Sequence, residues 1–261
     1  MPALDDLHVT LIQSETHWHE PAKNRDLFER LMSDTPAQSQ LIVLPEMFST
    51  GFTMASRQVA ETMDGPTVAW MREQACQRGL AICGSVVIED DGCYYNRMVF
   101  ADAQGQIQHY NKRHCFRMAD EHRYYTPGDE RCVVGLNGWR INLSVCYDLR
   151  FPVWLRNRED YDVLVCVANW PAARRTAWNT LLRARAIENQ SYVVGVNILG
   201  CDGNDVTYSG GSAAYAPDGE VLGEYFDTAI VQTHILSRKT LNELRTGFPV
   251  WQDADRFQMV D

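Results

Sequence analysis

The sequence predicts an α/β domain in which mixed β-sheet is layered with helices. Three observations carry this. Short apolar runs of strand length alternate with helix-length amphipathic stretches, Asp-Gly turns place hairpins among them, and the same order occurs twice along the chain. No stretch has linker composition, so the expectation is a single domain spanning 1–261.

Residues 7–13 read as a first strand and 24–32 as part of an amphipathic helix. Leu41-Ile-Val-Leu44 is short and wholly apolar, as expected of a strand buried on both faces. Residues 67–78 read as helix and 80–88 as strand, and Asp91-Gly92 then turns the chain into a second strand over 94–101. The second half repeats the order, with strand over 163–167, helix over 176–189 and strand over 192–198. Asp202-Gly203, a strand over 212–215 and a Pro217-Asp-Gly219 turn follow. Gly84 and Gly195 stand 111 residues apart, as do Asp91-Gly92 and Asp202-Gly203, while Gln104-Gly105 and Asp218-Gly219 are 114 apart. This spacing predicts an internal pseudo-repeat around one continuous core.

Composition narrows the function. The 261 residues are 45% hydrophobic with a formal net charge of −10, and Lys and Arg are scattered rather than striped. A nucleic-acid partner is therefore not expected. No apolar run approaches the ~20 residues of a membrane helix, and Met1-Pro-Ala-Leu-Asp-Asp lacks the basic start and apolar run of a secretory signal. Eight cysteines occur without a Cys-x-x-Cys pair, several inside strand-like runs, which points to a reduced, cytoplasmic protein.

Three segments can hold chemistry. Glu46 follows directly on the apolar run 41–44, at the mouth of a sheet, where open α/β folds place their sites. Tyr110-Asn-Lys112-Arg-His-Cys-Phe116 continues into a charged stretch containing Glu121. The strand over 141–145 ends at Cys146, and a turn then leads toward Trp154. Helix-start amides and a cation near such an elbow favour a thiolate. Taken singly, each segment has an ordinary explanation: a solvated glutamate, a wet basic loop, a small core cysteine. Together they supply a nucleophile, a carboxylate base that can return the proton to a leaving amine, and an ammonium for an oxyanion. That set cleaves an amide without histidine, metal or cofactor.

The segments Pro-Glu46, Asn-Lys112-Arg-His-x-Phe116 and Val-Cys146-Tyr-Asp-x-Arg150-Phe resemble the three signature segments of the nitrilase superfamily, in the order Glu, Lys, Cys. The resemblance runs from Thr10-Leu-Ile-Gln13 to the Pro217 turn. Phe48-Ser-Thr-Gly-Phe52, Ala168-Asn-Trp170-Pro and Gly247-Phe-Pro-Val-Trp-Gln-Asp-Ala-Asp255 are similar to its bacterial omega-amidase, or 2-oxoglutaramate amidase, branch. The resemblance implies a four-layer α-β-β-α sandwich that forms a homodimer. It further implies Cys146 as nucleophile, Glu46 as base, Lys112 as oxyanion-stabilising cation and Glu121 as a second carboxylate positioning substrate. By the same resemblance the Tyr147 amide completes the oxyanion hole, and Phe116 and Trp170 form pocket walls. The implied substrate is a small dicarboxylic acid monoamide, 2-oxoglutaramate or 2-oxosuccinamate, cleaved to acid and ammonia through a thioester. Its far carboxylate calls for a cation, drawn from Arg113, Arg117, Arg150, Arg174 and Arg175, with Arg174 favoured for its place soon after Trp170.

The competing readings are another aliphatic amidase or N-carbamoyl hydrolase of the superfamily, and a catalytically silent scaffold. The intact triad weighs against the scaffold. His17, His19, His109, His114 and His122 do not form a HExxH or finger-like ligand pattern. Gly210-Gly-Ser212-Ala-Ala214 misses a nucleophile elbow and runs into a strand rather than a helix.

Overall fold

The computed structural model describes residues 6–255 and 257–259. The reading of the first residues as free of a leader falls largely on 1–5, outside the described residues.

The elements in chain order are β1 (Leu7–Gln13), α1 (Pro21–Met32), β2 (Leu41–Val43), α2 (Ser56–Val59), α3 (Pro66–Arg78), β3 (Ala81–Asp90), β4 (Cys93–Ala101) and β5 (Ile107–Asn111). The second half contains β6 (Val133–Leu136), β7 (Trp139–Val145), α4 (Pro152–Leu155), β8 (Val163–Val167), α5 (Arg175–Asn189) and β9 (Tyr192–Val196). The chain continues through β10 (Leu199–Cys201), β11 (Thr207–Tyr215), β12 (Val221–Phe226), β13 (Ile230–Leu236) and α6 (Arg238–Gly247). Helix α3 shows why the local sequence folds as it does. Pro66 opens it, where no N–H is needed, and Gly79 closes it in the left-handed conformation at φ 66°.

The strands form two sheets, ordered β13-β1-β2-β3-β4-β5 and β10-β11-β9-β8-β7-β6, with β12 beside β11. The pseudo-repeat is visible in the pairing. In the first sheet β1, β2 and β3 are parallel, and β4 and β5 join antiparallel. In the second, β7, β8 and β9 are parallel, and β11 and β12 join antiparallel. Gly84 and Gly195 lie on the third parallel strand of each. A Cβ at Gly84 would lie 2.8 Å from Leu44 Cβ, and one at Gly195 would lie 2.5 Å from Leu182 of α5. Gly195 admits helix α5 against its sheet, and Gly84 admits the segment leaving β2 toward Glu46.

Side-chain alternation builds the layers. Leu7, Val9 and Leu11 of β1 and Leu41 and Val43 of β2 share a core with Ile141, Leu143, Val145, Val163 and Val165 of the second sheet. The alternate residues Ile12, Ile42 and Ile82 pack with Phe28 and Met32 of α1 and Val68, Met71 and Ala75 of α3. Trp178, Leu182 and Ala186 of α5 cover the second sheet. The result is the expected four-layer α-β-β-α sandwich.

Local expectations differ in places, and the strand expected over 212–215 begins already at Thr207. The strand expected over 192–198 ends at Val196, because Asn197 turns its side chain to bridge Trp170 O and Gly210 O. Asp91-Gly92 is a two-residue hairpin turn, with Asp90 opposite Cys93 and both turn residues at positive φ. Asp202-Gly203 instead opens a longer loop, since Cys201 pairs with Thr207. No helix among the described residues is long and apolar enough to cross a membrane.

Candidate active site

Four strands end at one place. Glu46 lies just past β2, Lys112 just past β5, Cys146 at the end of β7 and Asn169 just past β8. This is the carboxyl edge of the parallel strands, where connections leave the sheet and polar groups gather.

Glu46 is wholly buried, and both its oxygens are occupied. Oε1 accepts from Lys112 Nζ at 2.9 Å and from Asn96 Nδ2 at 2.7 Å, and Oε2 accepts the Asn169 N–H at 2.7 Å. The Lys112 ammonium, 1% exposed, also donates to both oxygens of buried Glu121 at 3.0 Å. The Phe116 N–H donates to Glu121 as well. Asn96 on β4 reaches Glu121 at 3.3 Å, so one amide spans both carboxylates. Its own carbonyl accepts from Ser85 Oγ at 2.8 Å, and Ser85 accepts the Met47 N–H at 2.8 Å. A buried ammonium between two carboxylates is tolerable only because every charge has partners in good geometry.

Cys146 stands at φ +47°, a left-handed backbone that a side-chain-bearing residue adopts only under constraint. The constraint is visible. A 3-10 turn, Cys146–Arg150, follows the strand, and Asp148 within it accepts Val145 N–H at 3.1 Å and Tyr110 OH at 2.8 Å. The other Asp148 oxygen accepts the His114 N–H at 2.9 Å and meets His114 Nδ1 at 2.7 Å. Asp148 therefore ties the cysteine elbow to the chain carrying Lys112. Tyr147, second in the turn, has its amide at the start of a helical turn, where N–H groups lack partners within the turn.

Burial pushes the Cys146 thiol well above its ordinary pKa, the Glu46 carboxylate pushes it further, and Lys112 opposes both without prevailing. Turn amides and a cation near the sulfur favour a thiolate, but here desolvation and a neighbouring anion outweigh them. Burial also pulls on the Lys112 ammonium, but Glu121 and Glu46 overcome it, and Lys112 stays charged. Glu121 is raised, by burial first and by Glu46 after it, against the pull of Lys112. The resting site holds a neutral thiol beside a locked ammonium.

Cys146 and Lys112 face a cavity of about 370 Å³ whose wall includes Phe52, Phe116, Tyr147, Trp170, Arg150 and Arg174. This is the size of a small-ligand site. The Phe116 and Tyr147 rings meet edge-on at 5.0 Å. Arg150 lies over the Trp170 ring at 4.9 Å and Arg174 over Phe116 at 5.3 Å. Neither is in an ion pair among the described residues. The other three arginine candidates are directed elsewhere. Arg113 donates to Gly128 O, Arg117 is exposed outside the cavity lining, and Arg175 pairs with Asp227 at 3.3 Å. Ser212 is buried, with its hydroxyl accepting the Asn197 N–H. Among the described residues, no three His, Cys, Asp or Glu side chains come together as metal ligands.

Sequence reasoning missed Asn96 and the role of Asn169. Asn96 sits in a strand-like run between Tyr95 and Arg97, with nothing local to mark it as a site residue. The loop after β10 was also missed as a pocket wall, although Asp202, Asn204 and Val206 line the cavity.

A family model described as carbon-nitrogen hydrolase matches residues 8–246. The chain belongs to the carbon-nitrogen hydrolase family. Omega-amidase YafV of Escherichia coli K12 is 44% identical over 256 residues, covering 97% of this chain and 98% of the relative. The 2-oxoglutaramate amidase of Bacillus subtilis is 33% identical, covering 94% and 96%. The crystal structure of a CN-hydrolase superfamily protein from Xanthomonas campestris, with an arsenic adduct in its active site, is 46% identical. It superposes with a TM-score of 0.96 and covers 98% of this chain and 99% of its own.

Proposed function

We propose that this carbon-nitrogen hydrolase is an omega-amidase, releasing ammonia from the terminal amide of a small 2-oxo dicarboxylic acid monoamide such as 2-oxoglutaramate or 2-oxosuccinamate. One observation carries the reading. Cys146 and Lys112, the latter held by Glu46 and Glu121, line a cavity that also presents Arg150 and Arg174, cations without an ion-pair partner among the described residues. An amide at one end and a carboxylate at the other fit that distribution of charge.

In the proposed reaction, Cys146 Sγ attacks the amide carbonyl as its proton passes to Glu46. A thiol raised by burial and by Glu46 suits this order, in which the proton leaves as sulfur attacks. Lys112 Nζ and the Tyr147 N–H stabilise the oxyanion. Glu46 returns the proton to the departing nitrogen, ammonia leaves, and a thioester remains. Glu46 then deprotonates a water that attacks the thioester, and the acid leaves with the thiol restored. Glu121 holds Lys112 in place throughout, Phe116 and Trp170 wall the acyl chain, and Arg150 and Arg174 take its carboxylate.

The whole chain acts as one domain in this reading. We also propose a cytoplasmic homodimer. All eight cysteines are free, which suits a reducing compartment, and Val153 of α4 and Ile187 of α5 are 52% and 51% exposed on the helical layer. The test is ammonia release from 2-oxoglutaramate by the pure protein and by Cys146→Ala, beside glutamine, propionamide, a nitrile and a ureido acid. Release from the 2-oxo monoamide that vanishes in the variant supports the assignment. Turnover of another panel member instead would keep the triad and discard the substrate.

A further inference from the structure

We propose that Trp18 is a positioning residue that sets the span of the acyl pocket, and with it the chain length of the amide accepted. It is not itself among the residues lining the cavity. Its indole lies between two glycines on two loops that do line the cavity. A Cβ at Gly51 would sit 2.8 Å from Trp18 Cε3, and one at Gly203 only 2.4 Å from Nε1 and 2.5 Å from Cε2. Only glycine lets both loops close on the ring. Gly51 leads directly to Phe52 and Met54, and Gly203 lies between Asp202 and Asn204.

The indole is anchored on the first loop. It stacks on His19 at 4.5 Å, His19 Nε2 is hydrogen-bonded to Thr53 Oγ1 at 2.9 Å, and the His19 N–H donates to Thr50 O at 3.0 Å. The second loop is braced internally. Asp202 accepts the Asn204 and Val206 N–H groups at 2.8 and 3.0 Å and the Tyr208 hydroxyl at 2.8 Å. Two stiff loops with one flat ring between them have their separation set by that ring. Phe52 carries the effect inward, since Lys112 Nζ lies 5.2 Å from its centroid.

The inference rests on the amidase reading, and the experiment separates the two. Trp18→Ala, Gly203→Ala and the double variant are compared with wild type on four-, five- and six-carbon 2-oxo monoamides. Trp18→Ala is expected to raise KM for the five-carbon amide about tenfold with kcat within about threefold. The six-carbon to five-carbon ratio of kcat/KM should rise about tenfold. Gly203→Ala, whose methyl collides with the indole, should also raise KM, yet add nothing once Trp18 is alanine. Additive losses, or a fall in kcat alone with chain-length preference unchanged, would overturn the proposal. Trp18→Phe, which keeps a smaller ring, serves if the alanine variant fails to fold, and should fall between. If wild type cleaves none of the three, the substrate reading fails, and the same cycle is judged on whichever primary amide it cleaves.

Discussion

Asn169 grips Glu46 twice: its backbone N–H donates to Oε2 and its side-chain amide donates to the Glu46 carbonyl, each at 2.7 Å. The two residues are 123 positions apart, one after the middle parallel strand of each sheet, β2 and β8, so this pair locks the sheets together at the site. Replacing Asn169 with alanine keeps the backbone bond and loses the other. The expected result is a fall in kcat of about tenfold, corresponding to one misdirected hydrogen bond, with KM nearly constant. Steady-state kinetics on the same amide decide it, and an unchanged kcat would show that the Glu46 orientation does not depend on Asn169.

In the proposed reaction, Glu46 acts on the resting thiol as a charge before it acts as a base. Burial raises the Cys146 pKa first and the Glu46 anion raises it further. Glu46→Gln removes the second contribution and leaves Lys112 in place beside Glu121. Hydrolysis should drop by about 10³-fold or more. The pH at which Cys146 becomes reactive toward iodoacetamide should move down, because the thiolate no longer faces that anion. The alkylation profile is taken as the difference from Cys146→Ala, since Cys76 and Cys201 are exposed thiols. An upward shift, or none, would contradict the charge arrangement.

The residues legible in sequence were those whose position along the chain already says where they must sit. Glu46 and Cys146 each follow an apolar strand, so the sheet edge places them. Lys112 and Glu121 share one charged stretch that has to return to the sheet. Asn96 and Asn169 were not legible as site residues, because what they do depends on which strand end lies across from them. The arginines divided for the same reason. Arg174 and Arg175 are adjacent, yet one lies over Phe116 and the other pairs with Asp227. Identical dipeptides also diverged. Asp91-Gly92 turns a hairpin, whereas Asp202-Gly203 became a pocket wall because the loop that follows is longer.

Far from the site, Asp162 joins the second sheet to the end of the chain. Its buried carboxylate meets Arg140 at 2.8 Å, Arg245 at 2.9 Å and Arg238 at 3.2 Å. Burial opposes its ionisation, but Arg140 and Arg238 prevail and hold its pKa at about 2, below the usual carboxylate range. A depressed carboxyl contributes stability that is complete above the unfolded pKa and lost as pH falls through the folded one. Asp162 should therefore supply about 2 kcal/mol that persists at pH 5 and disappears between about pH 4 and pH 2. Asp162→Asn should cost about 3 kcal/mol at neutral pH, because it leaves the arginines facing no anion. Urea unfolding at pH 7 and pH 3 measures both, and a variant as stable as wild type at pH 7 would refute the role.

In the proposed reaction, Arg150 and Arg174 are the groups that separate a dicarboxylic monoamide from a simple one. Each lies over an aromatic wall of the cavity, Arg150 over Trp170 and Arg174 over Phe116, a contact that holds the guanidinium without neutralising it. A substrate carboxylate would gain charge-assisted hydrogen bonds that a methyl group cannot make. Arg150→Ala and Arg174→Ala should each raise KM for 2-oxoglutaramate by about 10- to 100-fold while leaving kcat/KM for propionamide within about threefold. Charge is separated from shape by Arg→Gln at the same positions, which keeps much of the ring contact and loses the cation. If both substrates suffer alike, the arginines hold the pocket wall rather than the carboxylate. If neither variant affects 2-oxoglutaramate, its distal carboxylate is bound elsewhere.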